Sequence, residues 1–177
     1  HVPSAEREFS FISKPFKETE LSFRVGGPID RFEVYAGNFY HRGDIIAEID
    51  SRDFRIRKER AEAIYHQAKA EFERIKVLYE KNNLSASAYE KAHADYTSAR
   101  TAYETAVNEL EDTRLIAPFD GYIGEVYIEK YQDVKATQSV VSFIDITQLK
   151  IEAYVTQEIA FQAKEIKEVG IRFDVRP

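Results

Sequence analysis

The stretch "APFDGYIGEV", residues 117–126, decides the fold, because a relative of it, "VGGPIDRFEV", stands at residues 25–34. Each copy reads Gly, one residue, Ile, two residues, then an apolar residue: Gly27, Ile29 and Phe32 in one, Gly121, Ile123 and Val126 in the other. Both are strand signals next to turn residues, Gly26-Gly27-Pro28 in the first copy and Asp120-Gly121 in the second. Around the first copy, Leu21, Phe23 and Val25 alternate, then Ile29, Phe32 and Val34. After the turn Arg42-Gly43-Asp44 come Ile45, Ala47 and Ile49. Around the second, Tyr122, Gly124, Val126 and Ile128 lead to "SVVSFIDI", where Val141 and Ile144-Asp145 answer Ile46 and Ile49-Asp50 with the offset slipped by one residue. Each copy holds too few short strands to bury a core alone. The sequence predicts two half-domains that close on each other as a small sandwich with approximate two-fold symmetry.

Between the copies the period changes. No Gly or Pro occurs from Phe54 to Thr113. In the first half Ala61, Ile64, Ala68, Phe72, Ile75 and Leu78 or Tyr79 recur as one stripe of a helix. In the second, Tyr89, Ala92, Tyr96, Ala99, Tyr103, Ala106 and Leu110 alternate steps of three and four, a heptad seam suited to close packing against one partner helix. The segment "KNNLSAS", residues 81–87, separates them; Asn82 and Asn83 favour a turn, and Ser87 with Glu90 spells a capping box. A connection this short makes antiparallel neighbours. The expected element is an αα-hairpin of two helices of roughly 30 residues, about 45 Å long at 1.5 Å per residue. It leaves the first half-domain near Asp50 and returns to the second near Arg114.

Composition narrows the function. Thirty-one acidic against twenty-five basic residues give a formal net charge of -6. No block of Lys and Arg could neutralise a run of phosphates, so nucleic acid is not an expected partner. The chain has no cysteine, hence no disulfide, thiolate metal site or Cys nucleophile. His1, His41, His66 and His93 lack ligand spacing, so no metal site is expected. Asp50, Asp120 and Asp145 each flank a strand, where a carboxylate caps a turn, and no catalytic residue is assigned. "VGGPID" lacks the Lys and the following helix of a phosphate loop. No apolar run reaches the roughly 20 residues that cross a bilayer. The sequence starts at His1 without an initiator Met and stops at "IRFDVRP", so it reads as an excised piece of a longer polypeptide.

The phrases "LSFRVGGPIDRFEVYAGNFYHRGDIIAEID" and "TRLIAPFDGYIGEVYIEKYQDVKATQSVVSFIDITQLKIEAYV" carry a resemblance over residues 21–155. A sandwich of two similar halves is similar to the lipoyl or biotinyl carrier fold. The form split by a coiled-coil hairpin resembles the periplasmic adaptor, or membrane fusion protein, HlyD-like family. The resemblance implies an α+β chain with residues 1–20 giving the first strand of a β-barrel domain, through "FSFISKPF" at 9–16. Residues 21–51 and 114–146 would be the lipoyl-like halves, residues 52–113 the hairpin, and residues 147–177 the opening of the incomplete barrel, through "LKIEAYVTQEIAFQAKEI". Carrier domains modify a Lys in the turn between their halves; here the hairpin occupies that turn, so no cofactor is expected.

Adaptors that dock onto TolC-like outer-membrane channels resemble one another at the hairpin tip by Arg, three residues, Leu, six residues, Ser. This chain offers Arg74, Leu78 and Ser85 at that spacing, with Asn82, Asn83 and Leu84 completing the expected docking tip. Arg74 and Leu78, four apart, share a helix face. Arg can bond carbonyls or carboxylates of a facing turn, and Leu78 supplies an apolar anchor. The same residues read as plain structure would be a solvated charge, a last seam residue and a helix cap. The family further implies a non-enzymatic periplasmic linker of a tripartite multidrug efflux pump. Its partners would be an inner-membrane resistance-nodulation-division (RND) transporter, a TolC-like channel, and further copies of itself, most often six. An inner-membrane anchor would lie outside this sequence. The alternatives are the adaptor of an ATP-driven exporter of macrolide or secretion type, a carrier domain of an enzyme, and a cytosolic coiled-coil scaffold.

Overall fold

The computed structural model describes residues 18–174, with side chains throughout except at 148, 149 and 167–174. In chain order the elements are β1 (Thr19–Ser22), β2 (Gly27–Phe32), β3 (Phe39–Tyr40), β4 (Ile45–Ile49), α1 (Arg52–Glu80), α2 (Ala86–Glu111), β5 (Arg114–Ile116), β6 (Gly121–Val126), β7 (Asp133–Val134), β8 (Ser139–Asp145) and α3 (Ile146–Asp174). The strands form two four-stranded antiparallel sheets in the orders β1-β8-β6-β3 and β5-β4-β2-β7. Each sheet therefore mixes strands from both copies of the repeat. The halves do not stand side by side; they interleave.

The repeat holds at one spacing throughout. Ile29 pairs with Ile49 and Ile123 with Phe143, a shift of 94 at both partners (123 − 29 and 143 − 49). The same shift turns Gly27↔Val134 into Gly121↔Tyr40 with partners exchanged, and Ala47↔Leu115 into Val141↔Leu21. Ile46 therefore corresponds to Val140 and Ile49 to Phe143, and the one-residue slip expected from the sequence is absent. Both β4 and β8 bury consecutive residues, Ile46-Ala47 and Val140-Val141, where the register with β5 and with β1 shifts. A pattern of apolar residues cannot tell which member of such a pair is which.

Inside the sandwich a single cluster holds Ile29, Ile49, Ile123 and Phe143, all exposed by 2% or less. Burial at that level stabilises by about 1.5–3 kcal/mol per side chain. The duplicated glycine also has its reason. A Cβ at Gly121 would run into the Ile144 carbonyl oxygen and stand 3.0 Å from the Phe143 ring, while one at Gly27 would meet Ile49 Cγ2 at 2.8 Å. Each glycine lets the opening of its strand pass close over the end of a neighbour.

The hairpin is fixed to this sandwich at its base. Phe54, buried, belongs to the sandwich core, with the Arg57 guanidinium 4.5 Å over its ring. Thr113, 2% exposed, donates its hydroxyl to Leu110 O at 2.6 Å, and its carbonyl accepts Ile49 N–H at 2.8 Å. The helix end and the β4 end are thus tied through one residue. The three aspartates act as the sequence suggested: Asp50, Asp120 and Asp145 accept the backbone N–H of Arg52, Arg42 and Thr147. Arg52 also hydrogen-bonds the Asp50 carboxylate and holds its pKa below the usual value.

Two segments differ from expectation. Thr19 and Glu20, assigned by sequence to the barrel, belong to β1 and pair with Phe143 and Ser142 of β8. The strand expected at residues 9–16 lies outside the described residues. Of residues 147–177, expected to open a β-barrel, 147–174 belong to the helix α3. "LKIEAYV" alternates as a strand would, but a strand needs a ladder partner whereas a helix satisfies its own backbone. The "TQEIAFQAKEIKE" that follows is rich in strong helix formers. Ile151, Tyr154, Phe161 and Ile166 stand exposed along this helix.

Candidate functional site

The seam between α1 and α2 is built as the Tyr–Ala alternation predicts. Ala92, Ala99 and Ala106 are buried, which lets α1 come close. On one side of them a ladder of rings runs up the hairpin. Tyr103 stacks on Tyr65 with centroids 5.5 Å apart, Tyr65 on Tyr96 at 5.9 Å, and Tyr96 lies 5.2 Å from Phe72. Phe72 then meets Tyr89 at 5.7 Å and Tyr89 stacks on Tyr79 at 4.5 Å. Such pairs add about 0.5–1.5 kcal/mol each beyond area burial. On the other side the small residues leave an open trough of about 610 Å³, lined by Ile64, Ala68, Ile75, Ala92, Ala99 and Ala102.

The α1 stripe departs from expectation at one place. Ile64 is 48% exposed, and Tyr65 takes its seam position. The run Ala61, Tyr65, Ala68, Phe72, Ile75 alternates four and three; hydrophobicity alone favoured the isoleucine.

At the tip, α1 ends in a Schellman motif. Asn82 takes the left-handed conformation, φ 57°, its N–H bonding Tyr79 O at 3.0 Å, while Asn83 N–H bonds Leu78 O at 2.9 Å. Asn tolerates that conformation where most side chains do not. The second helix is capped by Ser85, not Ser87: Ser85 Oγ accepts Ala88 N–H at 3.2 Å, and α2 begins at Ala86. Ser87 falls inside the first turn, so the expected capping box does not form. Five residues, 81–85, make the connection.

The six expected tip residues lie on the last turn of α1 and on this connection, apart from Arg74 one turn earlier. Arg74 is exposed and grips Glu71, Nη2 to Oε1 at 2.6 Å and Nε to Oε2 at 3.1 Å, which raises its pKa. Leu78 and Leu84 are half-buried; Asn82, Asn83 and Ser85 are exposed. Sequence reasoning missed Val77, 49% exposed beside Leu78, and the exposed ring of Tyr79. The signal for Val77 was present, since it falls off the seam that includes Leu78. The tip therefore presents an apolar patch next to a turn rich in amide groups. Among the described residues no cluster of His, Asp and Glu could hold a metal ion, and no helix is long and apolar enough to cross a membrane.

Comparison with known proteins places this architecture. The solvent efflux pump periplasmic linker SrpA of Pseudomonas putida is 28% identical over 145 residues, covering 81% of this chain and 38% of the linker. A crystal structure of a candidate efflux transporter from Bacteroides eggerthii is 36% identical, with a TM-score of 0.73, over 75% of this chain and 40% of that one. A chimera of MacA and MexA, containing the Pseudomonas aeruginosa MexA α-hairpin domain, superposes with a TM-score of 0.67 at 25% identity, over 73% of this chain and 48% of the chimera. The chain is similar to periplasmic linkers of efflux pumps. No family model matches it. It spans less than half the length of each of these three relatives.

Proposed function

We propose that this chain is the hairpin-bearing part of a periplasmic adaptor that links an inner-membrane transporter to a TolC-like outer-membrane channel in an efflux pump. The observation that carries this reading is the two-helix prong standing off the junction of the two half-domains. Phe54 and Thr113 anchor it at its base, and the Asn82 and Ser85 caps shape it at its apex. A prong with a stacked seam holds its tip at a fixed distance from the sandwich. Reaching across a gap to another protein needs that property; catalysis does not. Arg74, Leu78, Asn82, Asn83, Leu84 and Ser85 form the contact with the channel. Arg74 exchanges Glu71 for acceptors on a facing loop, and Leu78 with Val77 provides the apolar anchor. The transporter is of the RND type, and several copies, six in the assembled pump, line up so that their hairpins form a tube. The whole protein is anchored to the inner membrane of a Gram-negative cell.

The test is a pair of variants in the full-length protein, Leu78→Asp and Arg74→Asp. Both are expected to keep the helical circular dichroism and melting behaviour of the parent and to lose co-purification of the outer-membrane channel and drug export. Normal export by cells carrying either substitution refutes the docking assignment.

A further inference from the structure

The aromatic ladder of the hairpin holds the tyrosines Tyr65, Tyr79, Tyr89, Tyr96 and Tyr103. The same chain has no cysteine, methionine or tryptophan, the side chains that ordinarily give up electrons first. One-electron oxidation of this protein therefore falls on tyrosine. Phe72 stands between Tyr96, 5.2 Å away, and Tyr89, 5.7 Å away, and its ring has no phenol to lose a proton. The ladder is thereby divided into a lower group, Tyr65, Tyr96 and Tyr103, and an apical pair, Tyr79 and Tyr89.

The apical pair is the more open to coupling. Tyr79 and Tyr89 stack with centroids 4.5 Å apart and planes 20° apart, closer than Tyr65 to Tyr103 at 5.5 Å or to Tyr96 at 5.9 Å. Tyr79 is 38% exposed, so an oxidant in solution reaches its phenol, whereas all three tyrosines of the lower group are half-buried. The hydrogen bond with Tyr96, and then burial, holds the Tyr65 phenol above its usual pKa and opposes the loss of its proton. Tyr35, Tyr131 and Tyr154 are exposed elsewhere, but among the described residues none of them has another tyrosine ring stacked on it.

We propose that Tyr79 and Tyr89 are a site of oxidative modification, at which one-electron oxidation, with hydrogen peroxide as the final electron acceptor, joins the two rings as dityrosine and staples α1 to α2 across the apex. Each phenol gives one electron to the oxidant and one proton to water, leaving a phenoxyl radical. A carbon–carbon bond forms between one ortho carbon of each ring, and the hydrogens on those two carbons return as protons to the phenol oxygens. Hydrogen peroxide takes up the two electrons and two protons and leaves as two waters. Stacked rings must slide before these carbons meet, and the solvent side of Tyr79, on the last turn of α1, gives the room. The bond closes a loop over the connection 81–85 and fixes the apex as a disulfide would in a chain that had cysteines. It holds whatever the apex meets, so it stands apart from the docking proposed above.

The purified chain, dilute enough that its molecules seldom collide, is treated with a haem peroxidase and hydrogen peroxide, and the monomer is recovered by size exclusion. The monomer is expected to show the blue emission of dityrosine. Trypsin is expected to release from it the peptides Val77–Lys81 and Asn82–Lys91 joined, at the sum of their masses less two hydrogen atoms. A missed cleavage after Lys81 gives the same sum less one water, so mass tells the two apart. Tyr79→Phe and Tyr89→Phe each keep a ring in the stack and lose the phenol. Either should abolish the joined peptides and the monomer emission, while Tyr131→Phe leaves both unchanged. A monomer without dityrosine, dityrosine formed among Tyr65, Tyr96 and Tyr103 instead, or monomer emission undiminished in Tyr89→Phe overturns the proposal.

Discussion

Replacing Gly121 by alanine puts the duplicated glycine to a quantitative test. The added Cβ would lie inside contact distance of the Ile144 carbonyl oxygen, 3.1 Å from Ile144 C and 3.0 Å from Phe143 Cε2. Two of these three atoms are backbone, and the third is on a ring in the filled core. Restoring a carbon–oxygen separation of about 3.3 Å requires β6 to move about 1 Å from β8. Overpacking of this sort costs about 1–3 kcal/mol. A ladder hydrogen bond lost between β6 and β8 adds about 1 kcal/mol. The expected loss is therefore about 3 kcal/mol. Gly37→Ala is the control, because nothing lies within 4 Å of the new Cβ and only the φ of 89° opposes it. That backbone strain costs about 1–2 kcal/mol. Urea unfolding followed by tyrosine fluorescence reads both, and with a slope of about 2 kcal/mol/M the Gly121 midpoint falls by about 1.5 M, the Gly37 midpoint by about 0.5–1 M. A Gly121→Ala midpoint at or above that of Gly37→Ala would show that β6 and β8 do not approach as described.

Two further outcomes follow from the turns. Thr137, at φ 68°, stands where the first half has Gly43, at φ 90°. Thr137→Gly is expected to raise stability by up to about 1 kcal/mol, since relief of left-handed strain exceeds the entropy cost of glycine; a drop in melting temperature contradicts this. Asn82→Val places a β-branched residue at φ 57° in the Schellman turn and should cost about 1–2 kcal/mol while Asn82→Gly costs nothing, both read by thermal melting of the helical signal.

What could be read in the sequence follows from how local each constraint is. The glycine–isoleucine repeat was legible because Gly27 and Gly121 answer the same steric demand and Ile29 and Ile123 enter one core. The Tyr–Ala seam was legible because one helix period suffices to display it. Exact registration of the halves was not, since Ile46-Ala47 and Val140-Val141 are both buried pairs at a bulge and an apolar pattern is blind there. Tyr65 was passed over for Ile64 because its ring is partly polar, and its place in the ladder depends on Tyr96 and Tyr103 of the other helix. Ser87, with Glu90, is the stronger cap in isolation; Ser85 takes the role because of where the Asn82 turn delivers the chain. In the tip, the exposure of Val77 was readable from its place off the seam, whereas Arg74's grip on Glu71 needed coordinates. The last segment shows the limit most plainly, because a strand's stability lies in its neighbour and a helix's in itself.

The central claim is that the apex formed by residues 81–85 touches an outer-membrane channel. Its most direct test is a photo-crosslinking residue placed at Asn83 in the full-length protein in living cells, with one at Arg60, near the hairpin base, for comparison. Adducts with an outer-membrane channel protein from Asn83 and none from Arg60 are expected. Channel adducts from neither position, or from Arg60 alone, contradict the claim.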